Sequence, residues 1–345
     1  MSKKIDERCA LARKTSIGGQ ALLEGIMMVG SKKTAMAVRD PDGNIVLEEW
    51  ENKQHKFAKL RKIPVLRGVL NFISTMKLGY KALMRSAEIA MPEELAEDDG
   101  KAEKSENEKK SSKAEKDKKD NSLLMGVVMT IASVLGVALS VGLFIMLPTF
   151  IFDWCLKIMP FLTTDNAAVN SLIKSVFEGV LKITILVAYM ALVSLMKDIR
   201  RTFQYHGAEH KTIFCYENGL ELTVENVRKQ RRFHPRCGTS FLILMLVVGI
   251  FVSFFIDPLF IALTGSVPHV AIRAVLKLLL LPIMMGLGYE LIKFAGRHQN
   301  AFTRFISAPG LWMQRITVLE PDDSMIECAI AAFVKVIPED NSDKI

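Results

Sequence analysis

The chain has 345 residues, half of them hydrophobic, with 24% charged residues and a formal net charge of +8 at pH 7. Charge collects in 1–121, in 197–236 and near the C-terminus, while long stretches between 123 and 296 carry little, a segregation that excludes an ordinary soluble globular protein and points to a lipid bilayer. The excess of 45 basic over 37 acidic residues is accounted for by juxtamembrane clusters facing anionic lipid headgroups, with no nucleic acid required.

In chain order, residues 1–91 read as a cytoplasmic β-hairpin followed by an interfacial helix. Met1 to Arg13 is polar and basic, without a signal-peptide core, so the N-terminus is expected to stay in the cytoplasm. Ile17 to Met28 opens on Gly18 and Gly19, which permit close approach of another backbone, but has neither a dinucleotide fingerprint nor a P-loop. Gln20 and Glu24 are the only polar side chains between Gly19 and Met28, and need partners if buried. Thr34 to Arg39 and Asn44 to Trp50 flank Asp40-Pro41-Asp42-Gly43, a hairpin signature. Leu60 to Ala90 reads as an amphipathic basic helix in the membrane interface. Residues 92–121, almost all Lys, Glu, Asp and Ser, read as a disordered tether.

Residues 122–196 hold two expected spans. Leu123 to Ile151 is uncharged and exceeds the ~20 residues a bilayer core requires. Leu172 to Met196 begins with a charged stripe of Lys174, Glu178 and Lys182 and is then wholly apolar. Residues 239–296 hold two more: Phe241 to Ile256, ended by Asp257-Pro258 or continued to Leu263, and Ala271 to Phe294, with Pro282, Gly286 and Gly288. Glu290 should face the bundle, where it could pair with Lys293 or Arg297 or line a pocket. In the C-terminal segment 297–345, Asp322 to Val336 reads as a capped amphipathic helix. Nine Lys/Arg between 197 and 238, against Lys157 alone in 153–170, place both termini and 197–238 in the cytoplasm. The expected architecture is an α-helical polytopic membrane protein of about four transmembrane helices, in the plasma membrane, with a small composite α+β cytoplasmic domain.

The chemistry concentrates in 197–238. His206 and His210 lie four apart, on one helix face and within reach of one metal ion. With Glu209 they form H-x-x-E-H, the inverted zinc-peptidase signature in which the Glu serves as general base. His234-x-x-Cys237, in a turn bounded by Pro235 and Gly238, has ligand-like spacing. All four ligands together would close a tetrahedral structural zinc site. Three of them plus water would make a hydrolytic one, and surface histidines on an interfacial helix are the bland alternative. The spacing leaves these open. Gln20, Glu24, Gln314 and Arg315 are candidates to orient the ligands from behind. Cys155, Cys215 and Cys328 read as small hydrophobes, and a transporter is disfavoured by the few ionisable residues in the spans.

The segments GGQALLEG-IMM (18–28), YHGAEHK (205–211), FHPRCGTSF (233–241) and APGLWMQRIT (308–317), in this order around four spans, resemble the YqhQ-like family of bacterial membrane proteins. The resemblance covers nearly the whole chain except the charged tether. It implies a predicted metal-dependent enzyme of the cell membrane, whose metal motif falls on His206, Glu209, His210, His234 and Cys237. The function expected is a zinc-dependent hydrolase acting on a lipid-like or membrane-tethered substrate, with a non-enzymatic scaffold or regulator carrying a structural Cys/His site as the alternative.

Overall fold

The structure, a computed structural model, describes residues 14–52, 60–91, 131, 134–159, 161, 163–266, 268–298, 300–340 and 342–344. The tether at 92–121 and the start of the first expected span lie outside the described residues. Four strands, β1 (Gly18–Leu22), β2 (Gly25–Val29), β3 (Lys33–Arg39) and β4 (Ile45–Glu51), form one antiparallel sheet in sequence order. Nine helices are described: α1 (Leu66–Ala90), α2 (Val134–Ile158), α3 (Ala167–Val193), α4 (Lys197–Glu217), α5 (Val224–Arg228), α6 (Gly238–Thr264), α7 (Val270–Arg297), α8 (Ala301–Thr317) and α9 (Asp323–Val336). The described residues fall into two compact units, one drawn from 14–91, 187–253 and 275–344, the other from 131–186 and 254–274.

In the first unit the expected hairpin is present, with Arg39 opposite Ile45 and the turn closed by the Asp40 carbonyl accepting from the Gly43 N–H. The glycine-rich segment ahead of it adds two further strands. The reason is visible in the burial. Ile26, Met28, Ala35 and Ala37 face a core shared with α4 and α9, whereas Met27, Met36 and Val38 face a second core with Ala82 of α1. A sheet covered on both faces reads as a continuous apolar run rather than an alternation. The α9 helix begins where expected, with the Asp322 carboxylate accepting from the Met325 N–H at 2.9 Å, and it buries Met325, Ile326, Ala329 and Phe333 against the sheet and α4.

Four helices, covering Val134–Ile158, Val169–Val193, Gly238–Thr264 and Ala271–Ala295, are long and apolar enough to cross a membrane. Their large apolar side chains, such as Phe150, Leu192, Phe255 and Leu279, are exposed, which fits a lipid-facing surface. Pro258 does not end the third span but lies inside α6. In the fourth, Glu290 is held by the Arg67 guanidinium of α1, through Nε to Oε1 at 2.5 Å. Gly286 and Gly68 let the two elements meet: a Cβ at Gly68 would stand 2.7 Å from the Tyr289 Cβ, and one at Gly286 would run into Val65.

The second unit contains a buried ionic network inside the span segments. Arg273 donates from Nε to Asp257 at 3.0 Å and from Nη1 to Glu178 at 3.4 Å. The Ser171 hydroxyl donates to Asp257 at 2.5 Å and Thr149 to Glu178 at 3.0 Å, with Lys182 3.5 Å from Glu178. The span segments therefore carry more charge than their hydropathy suggests, and the charge is internally paired, as charges in an apolar environment must be. Replacing Asp257 by Ala strands a buried guanidinium, and we expect it to cost about 3–5 kcal/mol. Thermal unfolding of the solubilised protein reads this out, and a melting curve identical to wild type would contradict the network.

Candidate metal centre

The α4 helix carries the centre. Its start has Asp198 in the first turn, favourable to the helix dipole. Its end is a Schellman-type cap in which Gly219, at φ +69°, turns the chain so that the Leu220 N–H reaches the Cys215 carbonyl. Between them, residues 205 and 207–216 are buried, so the histidines belong to a packed helix and not to an exposed interfacial one.

The segment after α8 runs alongside. The Leu319 N–H donates to the Phe203 carbonyl at 2.9 Å, and the Gln204 amide donates to the Glu320 carbonyl at 3.1 Å. The buried Lys211 ammonium donates to the Arg228 carbonyl at 2.8 Å and pairs with Glu320. Gly207 is required for this approach, because a Cβ there would collide with the Leu319 carbonyl oxygen. Glycine costs a helix about 1 kcal/mol relative to alanine, and here the close packing explains its place between the two histidines.

One nitrogen of each histidine ring is committed to a backbone carbonyl. His206 Nδ1 donates to Thr317 O at 3.0 Å and His210 Nδ1 to Arg232 O at 2.5 Å. A carbonyl oxygen only accepts, so Nδ1 carries the proton in both rings and Nε2 is the atom left for a ligand. His206 Nε2 stands 3.2 Å from Cys237 Sγ, which also meets the Thr239 hydroxyl at 3.1 Å. His206, His210 and Cys237 each present a donor atom within 4.8 Å of the others. Burial opposes charge on His206, but the negative Cys237 sulfur and its hydrogen bond push the imidazole up to about 9. Burial likewise raises a thiol, yet the charges of His206 and His210 hold Cys237 well below the ordinary thiol range. The proton shared by the pair sits toward His206, which leaves negative charge on the Cys237 sulfur, and an ion held by these residues would have to displace that proton.

Glu209 projects from the same helix beside these donors. Burial raises its pKa above the usual carboxylate range, offset in part by His206, His210 and the neighbouring Gly19 backbone. Gly19 is the reason β1 comes so close: a Cβ there would lie 2.7 Å from the Met27 carbonyl and 3.0 Å from Glu209 Cδ. A cavity of about 430 Å³ opens between them, lined by Gly18, Gly19, His206, Glu209, His210 and Cys237 among others.

His234 stands apart from the three donors. Its ring packs on Phe214 at 4.8 Å and lies 5.5 Å from His210, with Nε2 3.9 Å from Glu217 and 3.3 Å from Arg236. Burial lowers its pKa and favours the neutral ring. Gln314, fully buried, clamps the backbone of this residue: its Oε1 accepts from the His234 N–H and its Nε2 donates to the His234 carbonyl, both at 2.8 Å. That clamp fixes the turn delivering Cys237. Glu24 is held by Arg201, through Nη2 at 2.5 Å, and by the Tyr205 hydroxyl at 3.3 Å, on the turn preceding the cluster. Gln20 directs its amide to Gly79 of α1, and Arg315 is exposed. Thr317, Arg232 and Thr239, which meet the donors directly, have no signal in the residue pattern. Two of them act through a backbone carbonyl, which any residue carries.

Residues 63–339 match the family described as "Protein of unknown function (DUF1385)". The chain is 32% identical over 329 residues to "Uncharacterized protein YqhQ" of Bacillus subtilis (strain 168), covering 93% of this chain and 92% of that protein. No solved structure matches.

The opposed environments of the thiols predict their reactivity. Burial pushes Cys328 up to about 12, so it stays protonated and inert, whereas Cys237 is held well below the ordinary thiol range and has the greater thiolate character. Iodoacetamide at pH 7 on the folded, metal-stripped protein should modify Cys237 and spare Cys328, more slowly in His206→Ala. Equal labelling of the two thiols would contradict the ion pair.

Proposed function

This chain belongs to the DUF1385 family, and from that premise and the geometry of the site we propose a zinc-dependent hydrolase whose centre lies at the cytoplasmic membrane face. The observation that carries the proposal is the three-donor set of His206, His210 and Cys237 beside an uncommitted cavity and the buried Glu209. Two imidazoles and a thiolate suit zinc, and three protein donors with an open position are the pattern of catalytic rather than structural zinc. The donor chemistry fits the ion: both Nδ1 protons are fixed by carbonyls, as ligand imidazoles require. When bound, zinc supplies Lewis acidity and lowers the pKa of water.

The chain's own residues do the rest. Glu209, raised by burial, takes a proton from the attacking water and passes it to the leaving group. The Gly19 backbone packs against the carboxylate, a Cβ at that position lying 3.0 Å from Glu209 Cδ, and the Gln314 clamp keeps the Cys237 turn in register. The centre stands between two spans in sequence: α4 starts four residues after the second and Cys237 precedes the third. A substrate tethered to the membrane is thus the natural one. In the scaffold alternative the same site would be structural, closed by His234. That residue's orientation toward Glu217 and Arg236 favours the open centre.

Purified protein should contain about one zinc per chain, lost in His206→Ala, His210→Ala and Cys237→Ala and kept in His234→Ala. Glu209→Gln should retain zinc and fold while hydrolysis falls about 10²–10⁴-fold. Folded wild-type protein without zinc, or full function in Glu209→Gln, would defeat the hydrolase assignment. For orientation, a membrane-impermeant maleimide on intact cells should label Asp165→Cys and not Asn218→Cys, and the reverse pattern would put the centre outside.

A further inference from the structure

We infer that the cavity takes a stretch of extended polypeptide, paired to the outer edge of β1, with the amide to be hydrolysed beside His206, Glu209 and His210; this rests on the hydrolase proposed above and names its substrate class. Among the described residues β1 is an edge strand, and in an antiparallel pair alternate residues turn both backbone groups to the partner or away from it. The hairpin closes on Leu22 opposite Gly25, with Gln20 opposite Met27 and Gly18 opposite Val29. Those residues bond β2, so Gly19 and Ala21 face outward. The Gly19 carbonyl and the N–H and carbonyl of Ala21 thus form a short row on the edge beside the catalytic carboxylate.

The same cavity is lined by residues 202, 203, 206, 209, 210 and 213, one face of α4. The donor helix and the free strand edge are therefore its two long walls. Edge strands are ordinarily blunted by charge, proline or a covering element. β1 instead carries Gly-Gly-Gln-Ala-Leu, without charge or proline, and opens into the cavity. An incoming strand binds such an edge through its own backbone, with sequence tolerance set by the side pockets. Thr15, Ser16, Thr202 and Thr239 interrupt the apolar wall made by Ile17 and Phe203, which suits a peptide with alternating side chains better than an acyl chain. Hydrolysis then adds water across the amide. The carbon–nitrogen bond breaks, the acyl carbon gains hydroxyl, and the nitrogen receives the proton carried by Glu209.

The test uses zinc-loaded full-length protein in nanodiscs, a quenched-fluorescent decapeptide library and an acyl p-nitrophenyl ester. Ala21→Pro removes the outward N–H without touching the β1–β2 ladder, a position where an edge strand accepts proline. We expect peptide kcat/KM to fall about tenfold or more in Ala21→Pro, the loss of one backbone hydrogen bond, with zinc content and ester hydrolysis unchanged. N-methylation of single peptide amides, assayed on wild type, should produce the same loss at one or two positions and keeps the test informative should the proline variant misfold. Wild type cleaving the ester but no peptide overturns the peptide class and leaves the hydrolase standing. Peptide cleavage indifferent to both Ala21→Pro and N-methylation overturns edge pairing. Hydrolysis of neither substrate defeats both proposals together.

Discussion

The carbonyl oxygens of Thr317 and Arg232 each accept the Nδ1 proton of a histidine on α4. Because a carbonyl cannot donate, these two bonds fix both tautomers and leave Nε2 of each ring facing the Cys237 side of the cavity. Histidines free to rotate would present either nitrogen and lose ordering entropy on binding an ion. Here that cost is met during folding, which is how oriented ligands gain affinity. The same geometry sets the electrostatics: His206 beside the sulfur holds the Cys237 thiol well below its ordinary range, which favours the thiolate that a metal requires.

Those carbonyls are in place because α8 ends at Thr317 and the chain then runs along α4 as far as Glu320. The last carbonyls of a helix have no partner within it, and Thr317 gives one of them to His206. Gly207 admits the Leu319 carbonyl, and the buried Lys211 ties the same segment to α5. On the other side β1 approaches until only glycine fits at position 19. Glu209 is thereby enclosed by backbone and by imidazole rings rather than by a Lys or Arg side chain, which is why burial can raise its proton affinity without leaving it isolated.

Much of this was legible in the residues and some was not, for physical reasons. His206, Glu209 and His210 announce themselves because helical spacing alone puts them on one face. Spacing does not say which way a turn directs its side chains, so His234 and Cys237 look equivalent in His-x-x-Cys although the Gln314 clamp turns them apart. Gln314 itself was recognisable as a polar residue beside a buried segment. Glu24 was recognisable as needing a partner, but its partner Arg201 is 177 residues away, and no local pattern encodes such a distance. β1 and β2 were hidden by glycines of low strand propensity and by burial on both faces, which removes the alternation. α8 was hidden by Pro309, although its capping box at Asn300 and Thr303 marks the start.

The four apolar helices follow from hydropathy alone, yet Asp257 marks the limit of that method: the sequence leaves open whether it ends the helix beside Pro258 or lies in one continued to Leu263, and it lies inside α6 and binds Arg273. Hydropathy sums side chains one at a time, whereas the cost of a buried charge depends on its partner. The central claim, an open centre of two imidazoles and one thiolate, is tested most directly by zinc K-edge X-ray absorption on the purified protein. It predicts one sulfur and two imidazoles, with a remaining light-atom ligand that shows no ring scattering, unchanged in His234→Ala. A third imidazole that disappears in His234→Ala would contradict it.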